Sequence, residues 1–170
     1  MDSTVIRPFE ETDLIGATAA LTDVHATDGY PVEGVARPQA WLRSDDMLAS
    51  WVAEAGRRIV GHVAVMRPCG EGAVSLWTEQ SGDDEQCVGV LARLFVIKEA
   101  RGRTLGERLV RTAMDYGLSH NRRLVLDVMV KDAAAIRLYE RLGWLRTGRT
   151  AHHYGDGHYA DALCYVTPRT

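Results

Sequence analysis

Long apolar runs are missing from this sequence. None approaches the roughly 18 residues that a membrane span needs, so no membrane partner is expected. The first residues carry no basic segment leading into an apolar core, which argues against a secretory signal and towards a cytoplasmic protein. Cysteine is scarce: Cys69, Cys87 and Cys164 are odd in number and widely spaced. That is neither a disulfide framework nor a zinc knuckle, and it suits a reducing compartment. Positive charge is in deficit, with 20 basic residues against 23 acidic ones and a net charge of -3. A general nucleic-acid binder is therefore disfavoured. Repeats, low-complexity tracts and linkers are absent too, so residues 1–170 read as one domain. The remainder is ordinary, with 46% hydrophobic and 25% charged residues in a chain of 170. Such a chain can bury roughly 70% of its unfolded surface.

The mean charge hides an uneven distribution. Residues 1–90 hold 6 Arg and no Lys against 15 acids, whereas residues 91–170 hold 12 Arg and 2 Lys against 8 acids. A basic half suits an anionic ligand and an acidic half a cationic one. The alternative is that folding scatters these charges over solvated faces.

Thr4–Phe9 has the composition of a first strand, with Pro8 marking an edge or an end. Thr12-Asp13 offers a helix cap before Leu14, Ala17 and Leu21. Asp28 to Pro38 is rich in Gly and Pro and predicts a loop. A second helix is expected over Pro38–Leu42, continuing toward Leu48. Trp51–Ala55 and Ile59–Met66, joined at Gly56-Arg57-Arg58, predict a hairpin. Breaks at Pro68–Gly72 and Ser81–Asp84 precede a β-branched central strand, Val88–Val96. Leu105, Leu109, Ala113 and Gly117 recur at helical spacing. Leu124–Val130 reads as a buried strand, and Ala135, Leu138, Tyr139 and Leu142 as a helix face that ends at Gly143. Trp144–Thr150 and His158–Val166 close the chain as a hairpin. The order predicts an α/β fold: a mixed, mostly antiparallel twisted sheet of about six or seven strands, flanked by about four helices.

The chemistry concentrates after Leu94-Phe95-Val96. There Arg101-Gly102-Arg103-Thr104-Leu105-Gly106 joins a strand end directly to a helix start. Such a turn points unpaired backbone N–H groups outward at a helix N-terminus, a cradle for a diphosphate. Arg101 and Arg103 would add charge-assisted bonds. No Lys-Ser/Thr follows the glycine, so it is not a P-loop, and G-x-G-x-x-G is absent. By itself the turn also reads as an arginine-rich connection.

About 26 residues further on comes Asp132-Ala133-Ala134-Ala135-Ile136-Arg137-Leu138-Tyr139-Glu140-Arg141-Leu142-Gly143-Trp144. With this second segment the chain resembles the GNAT N-acetyltransferases. That family pairs an R/Q-x-x-G-x-G/A turn after its fourth strand with N-x-x-A-x-x-L-Y-x-x-x-G-F after its fifth. The likeness covers residues 85–145 well and the remainder loosely, through Ile6-Arg7-Pro8 and Arg57–Gly61. It departs from the pattern twice. Thr104 replaces a glycine, so either the position is helical or a β-branched residue is strained there. Asp132 replaces an asparagine; an ionised Asp only accepts hydrogen bonds, so it either loses a contact to the pantetheine arm or caps the helix.

The resemblance implies an acetyl-CoA-dependent enzyme that acetylates a primary amine of a small molecule or peptide in a ternary complex. It places acetyl-CoA on Arg101, Gly102, Arg103, Thr104, Leu105, Gly106, Glu107 and Asp132. The thioester oxygen falls to the backbone of Leu94, Phe95 and Val96. Tyr139 becomes the acid that protonates the thiolate, its alternative being a core aromatic at helical spacing. An alkylammonium near pKa 10.4 is neutral in about one molecule per 2,500 at pH 7, a handicap of about 4–5 kcal/mol, so a base helps. Asp127 is the first candidate, or else a strand carboxylate paired with an Arg; Glu85 and Asp84 come second. Asp28, Tyr30 and Glu33 in the early loop either select a cationic acceptor or belong to a solvated loop. Many members form homodimers, but nothing in the sequence fixes an interface. His152, His153, His158, Asp156 and Asp161 flank the last turn, but strand neighbours face opposite ways, and no metal is expected. An acyl-CoA sensor without turnover, a transferase of another acyl group and a polyanion-binding interaction domain are the rival readings.

Overall fold

The computed structural model describes residues 3–31, 34–102, 104–153 and 157–169, with the backbone alone at 152 and 153. Among the described residues, seven strands form one mixed sheet in the order β1-β2-β3-β4-β5-β7-β6, accompanied by five α-helices. The chain divides into two compact units, residues 1–66 with 92–113, and residues 67–91 with 114–170.

The first unit holds β1 (Thr4–Pro8), α1 (Leu14–Asp28), α2 (Pro38–Leu42), β2 (Met47–Ala55) and β3 (Arg58–Met66). It also takes the second half of β4 (Val88–Val96) and most of α4 (Leu105–Ser119). β1, β2 and β3 form an antiparallel meander whose β2–β3 turn closes at Ala55↔Arg58. Its core joins Leu21 and Val24 of α1 to Val52, Val63 and Val65, with Leu109 and Val110 from α4. Entry into α1 is fixed by Asp13, whose carboxylate accepts both Arg7 nitrogens at 2.8 Å and the Glu10 amide at 2.8 Å. The expected extension of α2 toward Leu48 does not occur. The helix ends at Leu42 and β2 begins at Met47, because Met47 pairs with Met66 across the hairpin.

The second unit holds α3 (Gly72–Ser81), the start of β4, β5 (Arg123–Met129), α5 (Ala133–Arg141), β6 (Leu145–His153) and β7 (Tyr159–Val166). β4 and β5 run parallel over three pairs, Val88↔Arg123, Gly89↔Leu124 and Val90↔Val125. β5 pairs antiparallel with β7, and β7 with β6. The sequence reading missed α3. Gly72 looks like a breaker, yet a Cβ there would lie 2.2 Å from the Thr150 Oγ1 of β6, so close approach is what requires the glycine. α5 ends as expected: Gly143 has φ +87° and the Trp144 amide reaches back to the Tyr139 carbonyl at 3.0 Å.

Candidate functional site

β4 ends at Val96 and α4 begins at Leu105. The Ile97 amide donates to Val60 at 2.9 Å, then a 3-10 turn over Lys98–Ala100 uses the amides of Ala100 and Arg101 internally. Arg101 therefore offers its side chain and not its N–H. Beyond it the backbone turns left-handed twice, with Gly102 at φ +79° and Thr104 at φ +60°. Thr104 is thus not helical, which corrects the milder of the two sequence expectations. A β-branched residue is disfavoured at such φ, and here it serves to start the helix. Arg108 N–H donates to the Thr104 carbonyl at 3.0 Å, the opening i→i−4 bond of α4. The amides of Leu105 and Gly106 precede that bond and have no intrahelical acceptor. Glu107 lies in the first turn, 3.9 Å from Arg111, where its carboxylate would repel rather than hold an anion. Arg103 lies outside the described residues.

The Arg101 side chain is already engaged. Its Nε donates to the Val96 carbonyl at 3.0 Å, and its terminal nitrogen pairs with Asp28. The expected acceptor-selecting carboxylate and the expected cofactor-binding arginine thus meet each other, in a pair more than a third exposed on both sides. Tyr30 packs edge-on against Trp41, with 6.0 Å between ring centroids. Glu33 lies outside the described residues.

Sequence reasoning passed over the residues that shape the second half of β4. Arg93 sits in mid-strand at φ +58°. Its carbonyl accepts from His62 Nδ1 at 2.8 Å, and its guanidinium lies 5.2 Å from the Trp41 ring centroid while donating to the Trp41 carbonyl. His62, on β3, is fully buried and stacks on Phe95 with 5.5 Å between centroids and 16° between planes. Burial pushes its pKa down to about 4, so the ring is neutral. Because a carbonyl only accepts, Nδ1 carries the proton, and Nε2 is a buried acceptor without a partner among the described residues. An unpaired buried acceptor costs roughly 1–3 kcal/mol. The available signal was a lone histidine inside the apolar run Ile59–Met66.

In the second unit, Tyr139 is buried on α5 at 6% exposure, tilted against Trp144 at 5.6 Å and Tyr165 at 6.4 Å. Burial raises its phenol above the ordinary value, and Asp132 and then Asp127 raise it further. Three residues named from sequence are therefore brought within electrostatic reach of one another. The phenol therefore keeps its proton at neutral pH. Asp132 stands at the N-cap of α5 but makes no capping bond with its side chain, so the simple cap is not what forms. Asp127 occupies β5 opposite Cys164 of β7, whose thiol is pushed up to about 11 by burial and then by Asp127. Glu85 lies in an exposed 3-10 turn before β4, at the end where Val88 faces Arg123. It is not gathered with Tyr139, Asp127 and Asp132. His158 and Asp161 are exposed near β7, and no group of metal-ligating side chains occurs among the described residues. Asp156 and the side chains of His152 and His153 lie outside the described residues.

Two curated relatives share this sequence pattern. N-alpha-acetyltransferase 30 of Schizosaccharomyces pombe is 33% identical over 79 residues, 46% of this chain and 51% of that protein. N-alpha-acetyltransferase MAK3 of Arabidopsis thaliana is 34% identical over 90 residues, 52% of this chain and 47% of that protein. The chain thus spans about half the length of the curated relatives it matches. The fold is that of Arabidopsis thaliana NAA60 in complex with acetyl-CoA, with a TM-score of 0.73 at 21% identity over 96% of this chain and 97% of that one. The acetyltransferase (GNAT) family model matches residues 17–144, three quarters of the sequence. The chain belongs to the acetyltransferase (GNAT) family.

Proposed function

We propose that this protein transfers an acetyl group from acetyl-CoA to the α-amino group of a peptide. The start of α4 carries the reading: Gly102 and Thr104 are left-handed just before the helix, and the Leu105 and Gly106 amides at its N-terminus have no intrahelical acceptor. This arrangement suits a diphosphate, because fixed N–H dipoles and the helix terminus both favour negative charge. The names of the two curated relatives support an α-amino acceptor.

Acetyl transfer forms a bond from the amine nitrogen to the thioester carbonyl carbon and breaks the bond from carbon to sulfur. An α-ammonium has a pKa near 7.7–8.0, so roughly a tenth is neutral at pH 7, and the demand on a base is far smaller than for an alkylamine. Asp127, or a water chain ending on it, is assigned the remaining proton. The amides of Leu94, Phe95 and Val96 are assigned the carbonyl oxygen as it gains charge. Tyr139 donates a hydrogen bond to the departing thiolate, a role that its raised pKa suits better than outright protonation.

Titration with acetyl-CoA by calorimetry, followed by free-thiol release against a panel of peptides and small amines, tests this reading. Saturable binding with release dependent on an α-amine is expected. No binding at millimolar acetyl-CoA overturns it, and binding without release from any amine points to an acyl-CoA sensor.

A further inference from the structure

We infer that His62 is a positioning residue for acyl transfer: its Nδ1–H bond to the Arg93 carbonyl fixes the left-handed turn in β4 from which the amides of Leu94, Phe95 and Val96 are directed. The inference rests on the transferase reading for its consequence, but its geometry stands alone.

A non-glycine residue at φ +58° in mid-strand persists only where its surroundings over-determine it. Arg93 is held from both ends. Trp41 of α2 takes the guanidinium, through the ring and the carbonyl. His62 of β3 takes the backbone carbonyl at 2.8 Å. The same imidazole stacks on Phe95, two residues further along. One fully buried ring therefore grips the carbonyl at the start of the segment and the side chain at its centre. Phe9 packs edge-on against the same ring, with 6.1 Å between centroids. Leu94 stands between the two gripped residues and Val96 follows them, so the direction of these amides depends on that grip. A catalytic donor misplaced by a fraction of an ångström loses much of its effect, because the developing oxyanion is a small target. His62 touches neither substrate in this account; it acts through the backbone.

Two variants separate this role from packing. His62→Leu removes the donor and keeps the volume apolar, whereas His62→Asn returns an N–H at the place of Nδ1. We expect His62→Leu to lower kcat about 10-fold or more while the KM for acetyl-CoA stays within about 2-fold. His62→Asn should recover to within about 3-fold of the parent. Glycine adopts φ > 0 without strain, so in an Arg93→Gly background the loss on His62→Leu should shrink to about 3-fold. Amide hydrogen exchange at residues 94–96, which needs no turnover, should quicken in His62→Leu and not in His62→Asn. Unchanged exchange in His62→Leu, or His62→Asn as impaired as His62→Leu, overturns the inference. A parent protein that releases no thiol with any amine sinks the transferase reading instead, and the exchange measurement still decides the role of His62.

Discussion

Arg101 has two claims on its guanidinium. Asp28 holds it now, and a diphosphate at the start of α4 would compete for it. Both partners are more than a third exposed, so the existing pair contributes only about 0–1 kcal/mol. Freeing the arginine should thus tighten acetyl-CoA binding modestly. Asp28→Asn is expected to lower the Kd for acetyl-CoA by about 2- to 5-fold by calorimetry; an unchanged or weaker affinity would mean that Arg101 does not reach the ligand. Tyr139 calls for the opposite kind of test. Burial and two carboxylates keep its phenol protonated, so losing the hydroxyl removes a donor and leaves the ring packed against Trp144. Tyr139→Phe should reduce kcat by about 10- to 100-fold with little change in acetyl-CoA affinity. A variant with normal turnover and weakened binding would make Tyr139 a packing residue. Both residues were named from sequence, yet the ion pair was not foreseen, since 73 positions separate its partners.

At the level of elements, most boundaries were legible because they follow local chemistry. Gly143 stops α5, Gly56 turns the β2–β3 hairpin, and β-branched runs mark β3 and β5. The misses lie where a distant partner decides. α3 begins at a glycine required by Thr150, and α2 stops early because Met47 is drawn into pairing with Met66. The start of α4 is a related case: threonine takes a left-handed residue's place at φ +60°. That conformation costs a β-branched side chain about 1–2 kcal/mol, partly offset by the entropy that glycine restores to the unfolded chain. Thr104→Gly should therefore raise stability by about 0.5–1 kcal/mol, a melting temperature about 1–4 °C higher. A fall in Tm would show that the threonine side chain contributes more than its backbone costs. The junction of β1 with α1 supplies a pH test. The Arg7 guanidinium holds the buried Asp13 carboxyl below its ordinary value of 3.8. A lowered folded pKa gives stability that is present above the ordinary value and is lost as pH falls through the folded one. Arg7→Met leaves a buried carboxylate unpaired, at a cost of about 3 kcal/mol near neutral pH. The gap between parent and variant in urea midpoints should be widest at pH 7 and narrow steadily below about pH 4; parallel curves would count against the ion pair as its source.

For the whole molecule, the charge asymmetry of the sequence does not survive folding. The compact units draw on both halves of the chain, so their charges must be counted anew. The unit of residues 1–66 and 92–113 carries 11 basic against 12 acidic residues. The unit of residues 67–91 and 114–170 carries 9 against 11. Neither is basic, so the idea of a positive half that attracts a polyanion gives way to local donors. Field effects between exposed charges fade beyond about 8–10 Å at physiological salt, which favours the proposal that the start of α4 binds through local contacts. That distinction is measurable. Arg149, exposed on β6, belongs to the arginine-rich second half of the sequence but not to the turn. If local geometry governs binding, Arg149→Ala leaves the Kd for acetyl-CoA within about 2-fold, while Arg101→Ala raises it about 5- to 10-fold. Raising the salt from 50 to 300 mM should then weaken binding in parent and Arg149→Ala alike, and less in Arg101→Ala, because one of the screened contacts is already gone. Equal losses from the two substitutions would restore the long-range field as the source of affinity and would remove the reason for assigning the diphosphate to the amides of Leu105 and Gly106.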